Sequence, residues 1–288
     1  MSEAWRALTP TDDDIELTFT TGPTFFMCFK QQQIEGTVDY WKSLSSQGRI
    51  ARTENIDNTL SCTHLTNLHL SDSLVQFVVK ARLQLLMTNS LLHVYYPDSV
   101  ERPCTRCGFH TETVSHVLNG CRENKAIIQK RHNRIADIIV KAVSEVNLSS
   151  HVLSDQIVRP THFDDIVDDD VFVGVGATRP DACVIDREQR TCIIAEVAVP
   201  FDPFVSECYQ GKFDKYLPLC QRIQEFGFDC KVLVFIVGSL GSIHSKFVSG
   251  LKIAGFPLRR AKALAKFCSV SVMIGSRMAW KRRCRESL

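Results

Sequence analysis

Four potential metal ligands lie within 18 residues of this chain, in the pattern C-x2-C-x8-H-x4-C. They are Cys104, Cys107, His116 and Cys121. Two thiolates two residues apart can bind one side of a tetrahedral ion, and three thiolates with one imidazole complete four-coordinate zinc. The spacing therefore predicts a structural zinc site with no open position. His110 is a competing ligand, but only two residues separate it from Cys107. The alternative is that these are unrelated core residues.

The segment between the ligands also predicts its own local fold. Gly108 relieves the tight turn after the second cysteine. Thr111 is placed to cap a short helix over 112–119, and Gly120 to end that helix in the left-handed conformation. We expect this arrangement to bring His116 and Cys121 to the same end of the turn.

The remaining cysteines do not indicate a disulfide framework. The chain has 12 cysteines, most of them outside the cluster lie in apolar runs, and its N-terminus, MSEAWRALTPTDDD, has no apolar leader. A reduced cysteine in such a run behaves as a small hydrophobic residue. No apolar run approaches the roughly 18 residues needed to span a bilayer. We therefore expect a soluble, intracellular protein without a membrane partner.

The apolar pattern divides the chain into four parts. Residues 1–66 are a poorly defined connection region, and residues 67–147 are a helical region that includes the predicted zinc knuckle (104–121). Residues 148–178 are a linker that contains an acidic run, Asp164–Asp170. Residues 179–288 show the order strand, strand, helix, strand and two helices, which is typical of a compact α/β domain.

Helical periodicity predicts two helices before the linker. The first follows apolar residues from Leu74 to Leu92 at i, i+3, i+4 and i+7 spacing. The second covers 123–146, with an isoleucine stripe opposite Lys130, Arg131 and Arg134. In the α/β domain, the elements expected are a hairpin with its turn at 187–191, helix 203–226, strand 231–237 and helices 243–254 and 258–285.

The hairpin places two acids together. If its turn is centred between Glu188 and Gln189, paired residue numbers sum to 377, and Asp181 lies opposite Glu196. The Cβ atoms of such a pair are about 4.5–5.5 Å apart on one face. Two acids there repel each other unless a cation neutralises them, and oxygen ligands favour Mg2+ or Mn2+. Alternatively the register slips by one residue, or Asp181 caps a turn while Glu196 pairs with a lysine.

Basic residues provide candidate cations and a candidate docking surface. On the following helix, Lys212 lies at the flank of the apolar face and can lean toward the acids, whereas Lys215 lies further toward solvent. From Arg259 to the C-terminus there are nine lysines and arginines against one acid, although the whole chain carries only +2. This basic tail, with Lys281, Arg282 and Arg283 at its densest point, either docks on phosphates or is a solvated helix face.

Two motifs in sequence order suggest a family. R-P-D, fourteen residues and E, followed by K-x2-K-Y (Lys212, Lys215, Tyr216), resembles the restriction-like endonuclease of early-branching non-LTR retrotransposons of the R-two type. In that family a CCHC zinc knuckle precedes the nuclease and carries E-T-x2-H-V-L-x2-C, as at 112–121 here. The W-x2-L-x2-Q-G stretch at 41–48 is also similar, so the resemblance covers roughly residues 41–285.

The resemblance implies a PD-(D/E)xK fold, with a mixed sheet flanked by helices. It also implies hydrolytic nicking of target DNA, which would prime reverse transcription in the nucleus. Asp181 and Glu196 would hold catalytic Mg2+ or Mn2+, and Lys212 or Lys215 would supply the catalytic cation. Arg179 would lie beside the metal or a phosphate. The expected partners are target DNA and element RNA, with no small-molecule cofactor.

Two departures from the wider pattern matter. The usual lysine of E-x-K is Ala198 here, so the cation must come from another element. No Y-x-D-D polymerase motif occurs in the sequence, so this chain is not a reverse transcriptase. Two competing hypotheses remain: a catalytically inactive nucleic-acid-binding remnant, and a zinc-stabilised interaction protein without a nucleic-acid role.

Overall fold

The computed structural model describes residues 35–45, 47–66, 69–147, 150–163 and 175–285. Residues 1–48 and 49–288 form two compact units. The first unit contains a helix at 35–43. Residues 1–34 of the predicted connection region and the acidic run of the predicted linker lie outside the described residues. The features below belong to the second unit.

A four-stranded mixed sheet forms the centre of this unit. Its strands are β1 (His151–Ser154), β2 (Ala182–Asp186), β3 (Thr191–Ala198) and β4 (Asp229–Ile236), and they are neighbours in that order. β1 and β2 are antiparallel, as are β2 and β3, whereas β3 and β4 are parallel. β1 falls inside the predicted linker. The sequence did not predict β1, because a strand of four residues with one buried side chain is too short to show the two-residue alternation of apolar residues.

The predicted hairpin and its register are confirmed. Ala182 pairs with Ala195 and Ile185 with Cys192, so the paired numbers sum to 377 and the slipped register is wrong. Since successive side chains of a strand alternate between faces, this register decides which residues meet on each side of the sheet.

Six helices of the described residues surround the sheet and the segment before it. They are α1 (Asp72–Arg82), α2 (Asn89–Tyr95), α3 (Lys125–Val146), α4 (Val205–Glu225), α5 (Lys246–Ile253) and α6 (Leu258–Arg285), preceded by short helices at Asn58–Ser61 and Thr63–Thr66. α4 connects the parallel strands β3 and β4, which need a crossover of this length. None of the helices in the described part of the chain is both long and apolar enough to cross a bilayer.

Helices cover both faces of the sheet. One face packs Val184, Ala195 and Phe235 against buried residues of α3, α5 and α6. The opposite face packs the alternate residues, such as Cys183 and Ile194, against α4. The expectation of a mixed sheet flanked by helices is therefore confirmed. A further core joins α1 and α6 to Val114, Val117 and Leu118 of the Cys/His segment.

Two helix predictions need correction. The helix predicted from Leu74 to Leu92 is broken between α1 and α2, where Gln84 has a positive φ of 56°. Arg131, predicted to face solvent on α3, is only 4% exposed and donates to the Ser276 hydroxyl of α6 (2.7 Å). It passes so close to Gly275 that a Cβ there would lie 2.9 Å from Arg131 Cγ. The amphipathic pattern of α3 alone cannot show that α6 packs against its polar side and buries Arg131.

Candidate metal centre and carboxylate site

Cys104, Cys107, His116 and Cys121 lie together in the structure. One ligand atom from each comes within 4.8 Å of all the others, and no other group of three or more such ligands occurs among the described residues. The three cysteines are buried, and the Sγ atoms of Cys104 and Cys121 are 4.0 Å apart. This cluster, called the Cys/His cluster below, could hold a metal ion. Its three sulfur atoms and one nitrogen are the donor set of structural zinc sites.

Short-range backbone bonds build the first half of the cluster. The Gly108 N–H donates to the Cys104 carbonyl (2.8 Å), and Gly108 has a positive φ of 69°, as its predicted role in the turn requires. The Cys104 N–H donates to the carbonyl of His110 (2.7 Å), so His110 contributes its backbone to the turn. Its ring lies 5.4 Å from the ring of His116 but outside the ligand group.

The second half differs from its predicted geometry. His116–Gly120 forms one wide π-helical turn, and the Cys121 N–H closes it on the carbonyl of His116 (2.7 Å). Gly120 is not left-handed. The hydroxyl that accepts from the His116 N–H belongs to Thr113 rather than Thr111. The wider turn still brings the histidine and the last cysteine to one end, as predicted.

The protonation of the cluster without metal favours a neutral histidine. Burial, together with the charge of His110, lowers the pKa of His116. Burial raises the pKa of the Cys104 thiol to about 12. Burial alone would also raise the pKa of Cys107, but the N–H groups of Phe109 and His110 lower it. Metal binding must therefore displace protons from thiols, which makes the affinity dependent on pH.

A buried ion pair fixes this segment to the end of α6. The Glu112 carboxylate is fully buried and accepts from Arg283 Nε (3.1 Å) and Nη2 (2.7 Å). It also accepts from the backbone N–H groups of Asn89 and Thr105. Burial opposes ionisation of Glu112, but the hydrogen bonds from Arg283 lower its pKa overall. Arg283, predicted to bind DNA, is thus 9% exposed and paired inside the protein, whereas Lys281 and Arg282 are exposed.

The confirmed register brings the two predicted acids together. The Asp181 N–H donates to Glu196 Oε2 (3.3 Å), and the Val197 N–H donates to Asp181 Oδ2 (2.7 Å). Asp181 is half-buried and Glu196 is 4% exposed. The pKa of Asp181 is raised, first by burial and then by the negative charge of Glu196. Repulsion between these carboxylates is the physical basis for expecting a cation between them.

Lys212 of α4 contacts this pair. Its Nζ donates to Glu196 Oε1 (2.5 Å), and 31% of its side chain remains exposed. Lys215 instead donates to the hydroxyl of Tyr216 (3.0 Å), which in turn donates to the carbonyl of Arg179 (2.7 Å). Lys212 therefore leans from the flank of the apolar face toward the acids, as predicted. Its contact with Glu196 also agrees with the alternative in which Glu196 pairs with a lysine.

Arg179 lies near the pair, but it is occupied elsewhere. It donates to both carboxylate oxygens of Asp155, at 3.0 and 3.1 Å, just beyond β1. The Asp155 N–H donates to the carbonyl of Asp181 (2.9 Å). Sequence reasoning missed Asp155 because it missed β1. It also missed His132 of α3, whose ring bonds the backbone beside Glu196 and whose charge favours ionisation of Asp181.

Comparison with models of protein families gives no match, and comparison with curated proteins gives none either.

Proposed function

We propose that this chain is a retrotransposon-derived, metal-dependent DNA endonuclease region that nicks target DNA. The observation that carries the proposal is the meeting of Asp181, Glu196 and Lys212. Asp181 directly precedes β2, Glu196 lies in β3 and Lys212 lies in the crossover helix α4. Three separate elements therefore bring two acids and one cation to the same face. The resemblance of the R-P-D, E and K-x2-K-Y pattern to the restriction-like endonucleases of R-two-type retrotransposons supports the assignment.

The residues present fit a hard divalent cation. Asp181 and Glu196 offer carboxylate oxygens, and burial followed by the charge of Glu196 raises the pKa of Asp181 even though Lys212 contacts Glu196. Mg2+ prefers such oxygens and keeps several water or phosphate ligands, so two protein carboxylates are sufficient. Bound there, Mg2+ or Mn2+ would act as a Lewis acid and lower the pKa of a bound water.

The side chains of the chain have separate roles in this proposal. Asp181 and Glu196 hold the cation, and Lys212 balances the charge of Glu196 and faces the phosphate oxygens of the DNA. Tyr216 fixes the backbone of Arg179 through its hydroxyl. Its own pKa is raised by burial and by the charge of Glu196, so it remains a hydrogen-bond donor.

We further propose that the Cys/His cluster binds structural zinc. Three thiolates and one imidazole leave no open position for chemistry. The exposed Lys281 and Arg282 at the end of α6 would contact phosphates of target DNA or element RNA.

The first experiment is nicking of supercoiled plasmid by the purified chain with Mg2+ or Mn2+. We expect nicking by the wild type and none by Glu196→Ala. The matched control is Glu188→Ala, in the exposed turn of the same hairpin, which should cut at the wild-type rate. Equal cutting by the wild type and Glu196→Ala would reject the proposed site.

The lysine assignment has its own test. We expect Lys212→Ala to lower the nicking rate by about 100-fold or more, since it removes a charge aimed at the transition state. Lys215→Ala, three residues further along α4, should have a smaller effect because Lys215 bonds Tyr216. A Lys212→Ala protein that cuts at full rate would transfer the catalytic role to another cation.

A second candidate function is a nucleic-acid-binding remnant without catalysis. It is favoured by the composition of α6, which has no acidic residue between Leu258 and Arg285. This candidate predicts DNA binding that weakens steeply with salt, with no cleavage by the wild type under any divalent cation.

A further inference from the structure

The carboxyl end of β3 extends beyond its neighbour β2. β2 begins at Ala182, opposite Ala195, while β3 continues beside β4 to Ala198. The N–H and C=O of a strand residue point to the same side, so both backbone groups of Val197 face the edge where β2 has ended. The Asp181 carboxylate takes the N–H (2.7 Å), which leaves the carbonyl oxygen without a strand partner.

Two side chains from outside the sheet bond this free edge. His132 Nε2 of α3 donates to the Val197 carbonyl (3.1 Å), and Asn119 Nδ2 donates to the Val199 carbonyl (2.8 Å). A carbonyl only accepts, so His132 carries its hydrogen on Nε2. Val197 is fully buried, and a buried carbonyl without a partner is costly. The two side chains therefore supply the hydrogen bonds that a neighbouring strand would otherwise provide.

We infer that His132 and Asn119 are positioning residues for the carboxylate pair. They fix the edge of β3, so that the Val197 N–H stays directed at Asp181 and Asp181 stays beside Glu196. The role rests on the proposed function, since it concerns the divalent-metal site assigned there. Both residues act through the backbone of β3 and not through the metal.

This arrangement also gives the Cys/His cluster a role in the sheet. Asn119 lies in the π-helical turn that begins with the ligand His116. A metal that fixes this turn also fixes Asn119 against the Val199 carbonyl, one residue beyond the end of β3 and three residues after Glu196. The Cys/His segment is then a brace for the carboxylate site.

The test compares His132→Leu and Asn119→Leu with His132→Gln, which keeps a donor. Lys130→Leu, exposed on α3, is the matched control. The zinc-loaded protein is studied by two measurements: hydrogen exchange of the Val197 amide, and Mn2+ titration with Asp181→Asn as reference. In the leucine variants we expect faster exchange at Val197, with Phe235 in β4 unchanged, and Mn2+ affinity about tenfold weaker. His132→Gln should recover much of both.

Any other result contradicts either the positioning role of His132 and Asn119 or the proposed function. Exchange at Val197 and Mn2+ affinity equal to wild type in both leucine variants would overturn the inference and leave the proposed function standing. Faster exchange throughout β2, β3 and β4 would also overturn it, because a purely structural role predicts that result. Wild-type protein without Asp181-dependent Mn2+ binding would overturn the proposed function, and the Val197 amide alone would then decide whether these residues position Asp181.

Discussion

The Cys/His cluster and the carboxylate pair are built over very different distances along the chain. All four ligands of the cluster come from 18 residues, and backbone bonds within that segment shape it. The carboxylate pair needs the β2–β3 register, a lysine from α4, and side chains from α3 and the π-helical turn. A local site depends on spacing, whereas the second site depends on how the whole sheet is supported.

Removing the cluster should have the largest effect. We expect Cys104→Ser with Cys107→Ser to reduce bound zinc from about one ion per chain to none and to unfold the segment, since zinc contributes about 10–16 kcal/mol to the folding of small zinc-binding peptides. Elemental analysis and thermal denaturation measure both effects. Cys62→Ser with Cys284→Ser, outside the cluster, should keep the metal. Folded wild-type protein that contains no metal would contradict this prediction.

Breaking the ion pair that joins the cluster to α6 should be the next largest effect. We expect Arg283→Ala to lower the free energy of unfolding by about 3–5 kcal/mol, because it leaves the buried Glu112 carboxylate uncompensated. Urea denaturation measures the loss, and Lys281→Ala, exposed on the same helix, should stay within about 0.5 kcal/mol of wild type. Because the pKa of Glu112 is lowered, the advantage of wild type over Arg283→Ala should shrink as pH falls below 4.5. A loss under about 1 kcal/mol for Arg283→Ala would show that the pair is solvated.

The carboxylate of Asp181 should behave in the opposite way, since burial and the charge of Glu196 oppose its ionisation. The pKa of Asp181 is raised, so the folded state binds more protons than the unfolded state above pH 3.8, and the stability contribution of Asp181 falls as pH rises through the folded pKa. We therefore expect Asp181→Asn to gain melting temperature relative to wild type between pH 4 and 7. Added Mg2+ should raise the melting temperature of wild type and not of the variant. If Asp181→Asn melted at a lower temperature than wild type at pH 7, repulsion between the Asp181 and Glu196 carboxylates would be contradicted.

The smallest effect concerns the exposed residues of the basic tail. Lys281→Ala with Arg282→Ala should reduce the slope of log affinity against log salt by about 0.9 for each phosphate that the tail no longer neutralises, without changing the fold. DNA-binding titrations at several salt concentrations measure the slope. Lys130→Ala with Lys141→Ala on α3 serves as the charge-matched control. An unchanged slope would make the tail a solvated helix face.

The sequence predicted the features that depend on short spacing or on one turn. The ligands of the cluster, the pairing of Asp181 with Glu196 and the position of Lys212 on its helix all follow from such local rules. The roles assigned to these residues stay predictions. The burial of Arg131 and Arg283 could not be predicted, because it depends on which helix packs beside each one. His132 gave no signal, since its partner is a backbone carbonyl that is free only because β2 begins at Ala182.

The pairing of Glu112 with Arg283 also sets an order of events during synthesis. The two residues are 171 positions apart, and a ribosome adds roughly 5–20 residues per second. The carboxylate of Glu112 therefore emerges roughly 10–30 s before the guanidinium that neutralises it. All four side chains of the Cys/His cluster are present during that interval, so the segment could bind a metal ion first. Its final packing waits until the last turns of α6 have left the ribosome.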